Sequence, residues 1–381
     1  MKKNRILRII HTLDPALGGP SNVIWDHSKM LVKYGYFVDI LTSDKINKLK
    51  SKNKNKKIKI INRGPSLNKY GINIKLILWL FNNKNKYDYF IIHELWRIYT
   101  LLARILLNNY VVFIHGQLDP FFKKNLLKKI KKQIYWFFIE RKNLIKSNSI
   151  LLTSENEKKL LNNTYVNTSG IKKKVVKYGL YKSKLEKNKI SKAFYEKFKA
   201  LKNKKFYLFL GRFHEKKGCE IIIDTIYQLK KDFKDFVLMA GPLNGTIYEK
   251  KIFSLIKKYE LENKIIISDI LTGDTKWGAI NQSKAMILPS HGENFGVSLI
   301  ESLSLSKPVI TTKKVNIYKE ILKYKAGLVS NDTTNSFKKI FSEFDNYNPK
   351  KLNKMSINAK KCFDNKFNLN LNTKKIALKF F

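Results

Sequence analysis

The sequence has few of the residues that stabilise small secreted domains. Of its 381 residues only two are cysteines, Cys219 and Cys362, and no candidate ligands cluster with them at the spacing of a metal site. A disulfide framework is therefore excluded, and a reducing, cytoplasmic location is expected. No bound metal is expected either.

Long apolar runs are also missing. Residues 1–11 imitate the basic start of a signal peptide, but Arg8 interrupts the apolar stretch and His11 and Asp14 end it. No uninterrupted apolar segment approaches the ~18–20 residues that a spanning helix needs. The sequence therefore predicts no integral membrane segment, and the opening residues are predicted to form a first strand.

Acidic residues are scarce beside basic ones. The chain has 29 Asp and Glu against 76 Lys and Arg, a formal net charge of +47. The lysines are spread along nearly every predicted element and are enriched together with asparagine and isoleucine, as an AT-rich coding sequence would produce. Because no recognition motif accompanies them, no nucleic-acid partner is expected. A peripheral contact with the inner face of a membrane and plain coding bias both stay open as explanations of the charge.

Alternating strand-like and helix-like segments are what the sequence has in abundance. Their rhythm predicts an α/β protein with parallel, doubly wound sheets, and the length suits two domains of roughly 150–200 residues each. A polar, lysine-rich stretch marks the boundary. The predicted organisation is an N-terminal domain, a linker, a C-terminal domain and a helical tail, over residues 1–180, 181–204, 205–350 and 351–381.

The predicted strands and helices fill both domains. Strands are expected at residues 5–10, 37–42, 58–62, 87–92, 110–114, 149–153, 175–180, 206–210, 236–240, 264–268, 285–289, 308–311 and 327–329. Helices are expected at residues 21–34, 72–82, 97–107, 121–146, 218–230, 247–259, 275–282 and 296–305.

Two glutamates, Glu293 and Glu301, are the most informative residues. Seven residues separate them, and the second lies on a predicted helix that follows a buried strand and a glycine-containing turn. Eight helical steps put their backbones roughly 12 Å apart, whereas the carboxyl pairs of glycosidases lie ~5–9.5 Å apart. A ligand with hydroxyls at both ends and an anion in the middle suits this row better, because helix N-termini bind phosphate and carboxylates accept from hydroxyls. A nucleotide diphosphate sugar has this form.

Four motifs carry a resemblance to a known family. The Glu293 to Glu301 segment resembles the E-x7-E motif of the GT4-like family of GT-B retaining glycosyltransferases. The segments 211–218 (GRFHEKKG), 17–23 (LGGPSNV) and 115–120 (HGQLDP) are similar to that family's G-R-x4-K-G element, its N-terminal Gly-Gly loop and its H-G segment.

The resemblance implies a fold and an activity. The fold would be GT-B, with two Rossmann-like, doubly wound domains facing each other across a cleft, the N-terminal one on the acceptor side and the C-terminal one holding the donor. The tail would cross back to the N-terminal domain. The activity would be transfer of a sugar, with retention, from a nucleotide diphosphate sugar to a hydroxyl acceptor, a saccharide or lipid-linked saccharide, in bacterial-type surface polysaccharide or glycolipid synthesis. No Asp-x-Asp occurs, so no metal cofactor is expected.

The donor site is predicted in the second domain. Arg212 and Lys217 follow a buried strand and are expected to bind the diphosphate. By resemblance Glu293 lies nearest the transferred sugar and Glu301 accepts hydrogen bonds from the ribose. The amides between them, of Asn294, Phe295, Gly296 and Val297, are expected to face the phosphates. A solvated basic loop and a helix N-terminal acid with a surface partner are the structural alternatives.

The first domain is expected to supply Gly18, Gly19 and His115. By resemblance the two glycines approach the donor diphosphate; a plain tight turn is the alternative. His115 ends a strand, and by resemblance it lies near the donor sugar and the acceptor, where its ordinary pKa near 6.5 would allow a proton role. A structural histidine at a strand end is the alternative. His93 and Glu94 end a neighbouring strand. They could line the same cleft, but a role in packing explains their position at least as well.

A stripe of apolar residues marks the predicted helix 121–146, among them Phe122, Ile130 and Phe138. Most such stripes are core contacts, but dense lysines around it make docking to a membrane a second hypothesis. Two other activities also stay open. A GT-B nucleotide-sugar epimerase would interconvert sugars without an acceptor, and a non-catalytic sugar-nucleotide-binding subunit would bind without turnover.

Overall fold

The computed structural model describes residues 4–14, 20–45, 56–118, 126–164, 167–176, 179–181 and 185–371. The described chain divides into two compact units, one within residues 1–178 and one formed by Gly179–Leu371. Each unit is a parallel sheet with helices in its crossover connections, so the predicted α/β class with two Rossmann-like domains is confirmed.

The sheet of the first unit has seven strands. They are β1 Arg5–Ile10, β2 Phe37–Thr42, β3 Ile58–Asn62, β4 Tyr89–His93, β5 Tyr110–Phe113, β6 Ser149–Leu152 and β7 Lys173–Val175. Their order is β3-β2-β1-β4-β5-β6-β7, and neighbouring strands run parallel. The order reverses between β1 and β4, where Ile6 pairs with Tyr89. Ligands of such sheets bind outside the carboxyl ends of the strands at this switch point.

Among the described residues of this unit, six α-helices accompany the sheet. They are α1 Pro20–Lys33, α2 Ile74–Asn83, α3 Ile98–Leu106, α4 Leu126–Tyr135, α5 Arg141–Lys146 and α6 Glu155–Thr164. The Asn73 side chain caps α2 by accepting from the Leu76 amide. A π-helical segment, Trp136–Glu140, joins α4 to α5 and buries the Trp136 ring completely in the core.

The sheet of the second unit has six strands. They are β8 Phe206–Leu210, β9 Phe236–Ala240, β10 Ile265–Ser268, β11 Ala285–Leu288, β12 Val309–Thr312 and β13 Gly327–Ser330. Their order is β10-β9-β8-β11-β12-β13, again parallel. All six strands were predicted from continuous apolar runs, which are typical of strands covered on both faces.

Eight α-helices complete the described part of the second unit. They are α7 Lys187–Lys197, α8 Cys219–Gln228, α9 Ile247–Lys258, α10 Gly273–Gln282, α11 Val297–Ser304, α12 Tyr318–Tyr324, α13 Thr334–Asp345 and α14 Pro349–Cys362. Local sequence signals start two of them. Thr246 and Glu249 form a capping box on α9, and Asn348 caps α14 just before Pro349.

The predicted linker 181–204 is not a linker throughout. Its residues 187–197 form α7, which packs on α10 of the second unit. Ile190 and Phe194, one helical turn apart, are buried, and a Cβ added at Gly278 of α10 would lie 2.1 Å from the Ile190 carbonyl oxygen. Because lysines surround this pair in the sequence, its two-residue apolar stripe is too short to predict a helix within the polar segment.

The predicted tail 351–381 begins inside the second unit. Helix α14 lies against α12, where Cys362 Sγ is 3.8 Å from the Glu320 carbonyl oxygen. Beyond it, the Leu180 amide donates to Phe367, and the Leu369 amide donates back to Leu180. Residues 372–381 lie outside the described chain, so the crossing to the first domain stays a prediction.

None of the helices in the described residues is both long and apolar enough to cross a bilayer.

Candidate functional site

The two predicted donor motifs meet at the switch point of the second sheet. The strand order reverses between β8 and β11, where Ala285 pairs with Tyr207. Loop 211–218 leaves the carboxyl end of β8, and loop 289–296 leaves the carboxyl end of β11. The His291 amide donates to the Lys216 carbonyl at 2.9 Å, so the loops lie side by side. This is the edge at which parallel sheets bind ligands.

Gly218 allows the close approach of these loops. Its φ is +65°, in the left-handed region, and it precedes the first residue of α8. A Cβ at this position would lie 2.2 Å from the Pro289 carbonyl oxygen. Any side chain here would push the loops apart, because backbone cannot yield as a side chain can. The glycine therefore determines how near Lys217 comes to the β11 loop.

An ion pair joins the two motifs. Lys217 Nζ donates a hydrogen bond to Glu293 Oε2, and the two side chains are only 19% and 18% exposed. Burial raises the pKa of Glu293, but the charges of Lys217 and Lys216 and hydrogen bonds from Lys217 and the Gly296 backbone outweigh it. The pKa of Glu293 therefore lies below its ordinary value, and its carboxylate is ionised at neutral pH.

Arg212 differs from Lys217 in its surroundings. Its side chain is exposed, and within the described residues no carboxylate pairs with it. A guanidinium with no internal partner can bind two oxygens of a phosphate at once. The loop thus offers one unpaired cation and one cation shared with Glu293.

The backbone after Glu293 is held by the next loop of the sheet. The Glu293 amide donates to the Lys314 carbonyl at 3.0 Å, and the Asn316 amide donates to the Glu293 carbonyl at 2.9 Å. The Asn316 side chain also donates to Asn294 Oδ1 at 3.1 Å. Phe295 is buried, with its ring edge-to-face against Phe367. These contacts fix the predicted row of amides independently of any ligand.

Gly296 turns the chain into α11. Its φ of +63° is left-handed, and Val297 is the first helical residue. The first amides of a helix have no partner inside it and attract anions. Glu301 then follows just over one helical turn beyond Val297.

Glu301 has a partner that the sequence did not predict. Lys276 Nζ of α10 donates to Glu301 Oε1 at 2.7 Å, and the two side chains are 18% and 9% exposed. The Lys276 ammonium also lies 4.7 Å from the centre of the Trp277 ring. Within the described chain Glu301 Oε2 has no hydrogen-bond donor, so one oxygen stays available to a hydroxyl. No spacing rule connects Lys276 to Glu301, because the contact arises only when α10 packs beside α11.

His291 connects three segments around the pair. Its Nδ1 lies 3.0 Å from Asp332 Oδ2 and its Nε2 lies 3.5 Å from Glu220 Oε1. The hydrogen bond with Glu220 raises the pKa of His291 more than burial lowers it, and the bond with Asp332 raises it further. The Tyr248 hydroxyl donates to the same Glu220. A protonated His291 therefore ties the Glu293 loop to the start of α8.

The first unit places His115 at the carboxyl end of β5. It follows that strand by two residues and is half-buried, with a φ of +47°. Burial, then the charge of Arg8, lowers its pKa to about 3. A pKa this low favours the neutral imidazole at neutral pH, and the predicted proton role of His115 stays a prediction.

Two buried residues stand behind His115. Arg8 Nε donates to His93 Nε2 at 3.1 Å, and His93 Nδ1 lies 2.8 Å from His115 Nε2. Both are almost completely buried. The sequence shows Arg8 as an interruption of the first apolar strand but does not predict it as a site residue, although a basic residue at such a position signals a special role. The His93 position at a strand end was the available signal for the second residue.

The second unit thus brings together Arg212, Lys217 and Glu293, with Glu301 further along α11. Gly18 and Gly19 lie outside the described residues, so their predicted role stays untested. Within the described chain no group of three or more His, Cys, Asp or Glu side chains could hold a metal ion.

Comparison with known proteins places these features in a family. Residues 191–362 match the family model described as glycosyl transferases group 1, and this range contains both donor motifs. The chain is 26% identical over 194 residues to the alpha-1,3/1,6-mannosyltransferase ALG2 of Dictyostelium discoideum, covering 45% of this chain and 46% of that one. It is 31% identical over 107 residues to the O-antigen biosynthesis glycosyltransferase WclY of Escherichia coli, covering 28% of each.

Over residues 191–362 the chain is therefore similar to the glycosyl transferases of group 1. It spans less than half the length of these curated relatives. Solved structures extend the likeness in fold to nearly the whole length of the chain. Sucrose-phosphate synthase from Thermosynechococcus elongatus matches with a TM-score of 0.79 at 16% identity, over 99% of this chain and 98% of that one. HepE from Anabaena, solved in complex with UDP-glucose, matches with a TM-score of 0.75 at 15% identity, over 98% of each chain. At such identities the likeness establishes the GT-B fold alone.

Proposed function

We propose that this chain transfers a sugar from a nucleotide diphosphate sugar to a hydroxyl acceptor with retention at the anomeric carbon. The observation that carries the proposal is the Lys217 to Glu293 ion pair at the switch point of the second sheet, beside an unpaired Arg212. The acceptor class is a saccharide or lipid-linked saccharide of surface polysaccharide or glycolipid synthesis. The names of relatives such as WclY support this class.

The donor would lie along the row from Glu293 to Glu301. Arg212 and Lys217 would bind the diphosphate together with the first amides of α11, while Glu293 faces the sugar. Glu301 Oε2 would accept from the ribose, because Lys276 already occupies the other oxygen. The complex of HepE with UDP-glucose supports a donor of this kind.

The main contribution to rate would be electrostatic. As the bond between the anomeric carbon and the phosphate oxygen breaks, charge develops on the departing diphosphate, where Arg212 and Lys217 can stabilise it. The acceptor oxygen forms the new bond, and its proton passes to a departing phosphate oxygen. His115 is a poor alternative acceptor for this proton, since its pKa lies at about 3. No protein nucleophile is required.

A panel of nucleotide sugars tests the proposal. Incubation of the purified full chain with each donor and a lipid or saccharide acceptor should release free nucleotide and form a glycosylated product with unchanged anomeric configuration. Isomerisation of the sugar without an acceptor would support the epimerase instead. Thermal stabilisation by a donor without turnover would support a non-catalytic binding subunit.

In this proposal the positive charges of Arg212 and Lys217 stabilise the diphosphate, as a metal ion does in other enzymes. Turnover should therefore continue in EDTA at the rate measured without it. Loss of turnover that Mg²⁺ or Mn²⁺ restores would contradict a metal-free diphosphate site.

We also propose a peripheral membrane contact through one face of α4 and the following π-helical segment. This apolar face consists of four exposed side chains, those of Ile130, Ile134, Phe137 and Phe138. The two phenylalanines are 62% and 61% exposed. The described part of the predicted stripe is thus not a core contact. Lys131 and Lys132 adjoin it, which favours an anionic lipid surface as the partner. Phe122 of the stripe lies outside the described residues.

Vesicle co-sedimentation tests this contact. The protein should bind anionic vesicles more tightly than neutral ones, and salt should weaken the binding. Phe137→Ser with Phe138→Ser should reduce binding by roughly tenfold or more, since burial of one phenylalanine contributes about 1.5–3 kcal/mol. The matched control is Ile357→Ser, at a residue 50% exposed on α14. Equal binding by all three proteins would contradict the proposal.

A further inference from the structure

A chain of hydrogen bonds crosses the switch point of the first sheet. Arg8 lies on β1 and His93 ends β4, the two strands between which the order reverses. Arg8 Nε is 3.1 Å from His93 Nε2, and His93 Nδ1 is 2.8 Å from His115 Nε2. Arg8 is itself held by α1, through hydrogen bonds to the Ile24 carbonyl and Ser28 Oγ.

The direction of this chain follows from elementary chemistry. A guanidinium keeps its protons in proteins and has no acceptor atom, so Arg8 can only donate. His93 Nε2 must then be the acceptor, which puts the proton of the neutral ring on Nδ1. His93 Nδ1 in turn donates to His115 Nε2, and a neutral His115 must hold its own proton on Nδ1.

We propose that Arg8 and His93 are positioning residues that fix His115 as a neutral imidazole with its proton on Nδ1. In this form His115 is a neutral imidazole whose only N–H is at Nδ1, and it takes no proton in the reaction. The effect on catalysis rests on the proposed glycosyl transfer. The tautomer itself does not.

The surroundings of His115 leave its ring little freedom. The ring stacks on Phe113 with centroids 4.5 Å apart and planes 12° apart, and the His93 ring stacks on the same phenylalanine. The Gly116 amide donates to Glu157 Oε1 at 2.9 Å, which anchors the following turn. The left-handed φ of His115 persists because contacts on both sides determine it.

Protonation of the three histidine rings near Arg8 is suppressed. Burial, followed by the charge of Arg8, lowers the pKa of His93, His115 and the nearby His27. One buried guanidinium thus faces three imidazoles, and each added proton would face its charge. A second cation in this cluster would be costly, so the fixed tautomer persists at every pH at which the enzyme would work.

Nitrogen NMR of the full-length protein tests the inference. With ¹⁵N-labelled histidine, only six residues contribute ring signals, and loss of one set in His115→Gln assigns those of His115. At pH 7 the proton of His115 should be on Nδ1, and Nε2 should have the shift of an unprotonated acceptor. A cationic His115 at pH 7, or a proton on Nε2, would overturn the inference whether or not the protein turns over donor.

Variants of His93 separate positioning from packing. His93→Phe keeps the ring stack but removes the donor, so the His115 proton should redistribute toward Nε2 and kcat should fall by roughly tenfold. His93→Asn keeps an N–H near the position of Nδ1 and should retain more of the tautomer and of kcat. His27→Phe, at an equally buried histidine, should leave the His115 signals unchanged. An unchanged tautomer in folded His93→Phe would contradict the inference. An altered tautomer with unchanged kcat would overturn its second part, the effect of the tautomer on catalysis.

Discussion

The two units of this chain use the same sheet topology to build sites of opposite electrical character. In the second unit the switch point carries formal charges of both signs, with Lys217 on Glu293 and Lys276 on Glu301 nearby. In the first unit the switch point carries one buried guanidinium, Arg8, in contact with a neutral imidazole. The pKa of Glu293 is shifted so that it stays charged, and the pKa of His115 so that it stays uncharged.

This difference indicates a division of labour. Paired charges can exchange partners when an anion arrives, so the second site suits a diphosphate. Neutral, fixed hydrogen-bond donors cannot neutralise an anion, but they can orient hydroxyl groups. A parallel sheet determines only where functional side chains collect, and the residues on its loops decide the chemistry.

The largest expected effect comes from removing a cation of the second site. Lys217→Ala and Arg212→Ala should each lower kcat by about 10²-fold or more, because each loses an electrostatic contact with the leaving group. Circular dichroism should show an unchanged fold, and Lys354→Ala, at an exposed lysine of α14, should keep full activity. Steady-state kinetics with the identified donor gives the answer. Full activity in either site variant would remove it from the diphosphate site.

A smaller and different effect is expected at the far end of the row. Glu301→Ala should raise the donor KM by about tenfold and change kcat little, since a ribose contact is made equally in the ground and transition states. Lys276→Met should raise KM less, because it leaves the carboxylate in place but removes its partner. A fall in kcat with unchanged KM would assign Glu301 to the reacting end instead.

The smallest expected effect is a pH dependence peculiar to the second unit. The pKa of His291 is raised above 6.5, so its stabilising contact is complete below about pH 6.5 and is lost as pH rises through the raised pKa. Burial raises the pKa values of Glu220 and Asp332, but hydrogen bonds with His291 are the chief reason that both lie below their ordinary values of 4.5 and 3.8. The stability that these two carboxylates contribute is therefore lost only in stronger acid. The difference in unfolding free energy between wild type and His291→Gln should therefore be greatest between about pH 5 and 6.5.

Denaturant titrations across this range measure that difference. Asn358→Gln, at a half-buried residue of α14, controls for a general effect of substitution and should show the same pH profile as the wild type. A His291→Gln profile parallel to the wild type would show that His291 carries no coupled charge.

Much of the fold was predictable because buried parallel strands leave a strong signal. Three strands have the predicted bounds, since mainly apolar runs between polar turns mark both ends: Phe37–Thr42, Phe206–Leu210 and Phe236–Ala240. Helix α7 was missed because its apolar stripe is only Ile190 and Phe194 amid lysines. Burial there depends on Gly278 of α10, which no local pattern reveals.

The site was predictable where its residues lie on loops that directly follow strands, and it was not predictable where helices supply the partners. Arg212, Lys217 and Glu293 follow strands directly, so strand order alone brings them together. Lys276 reaches Glu301 only through helix packing. The pKa of His115 could not be foreseen either, because it depends on a guanidinium that the sequence places a hundred residues away, in what reads as an ordinary apolar strand.

The central claim is that the second unit holds the diphosphate through paired charges while the first unit contributes none of that binding charge. Calorimetry with the nucleoside diphosphate that binds best among UDP, GDP and ADP tests it most directly, on wild type, Lys217→Ala and His115→Gln. The account predicts that Lys217→Ala weakens binding by about ten- to a hundredfold, as expected for a charged contact, and that His115→Gln binds like the wild type. Unchanged affinity in Lys217→Ala, or an equal loss in His115→Gln, would contradict it.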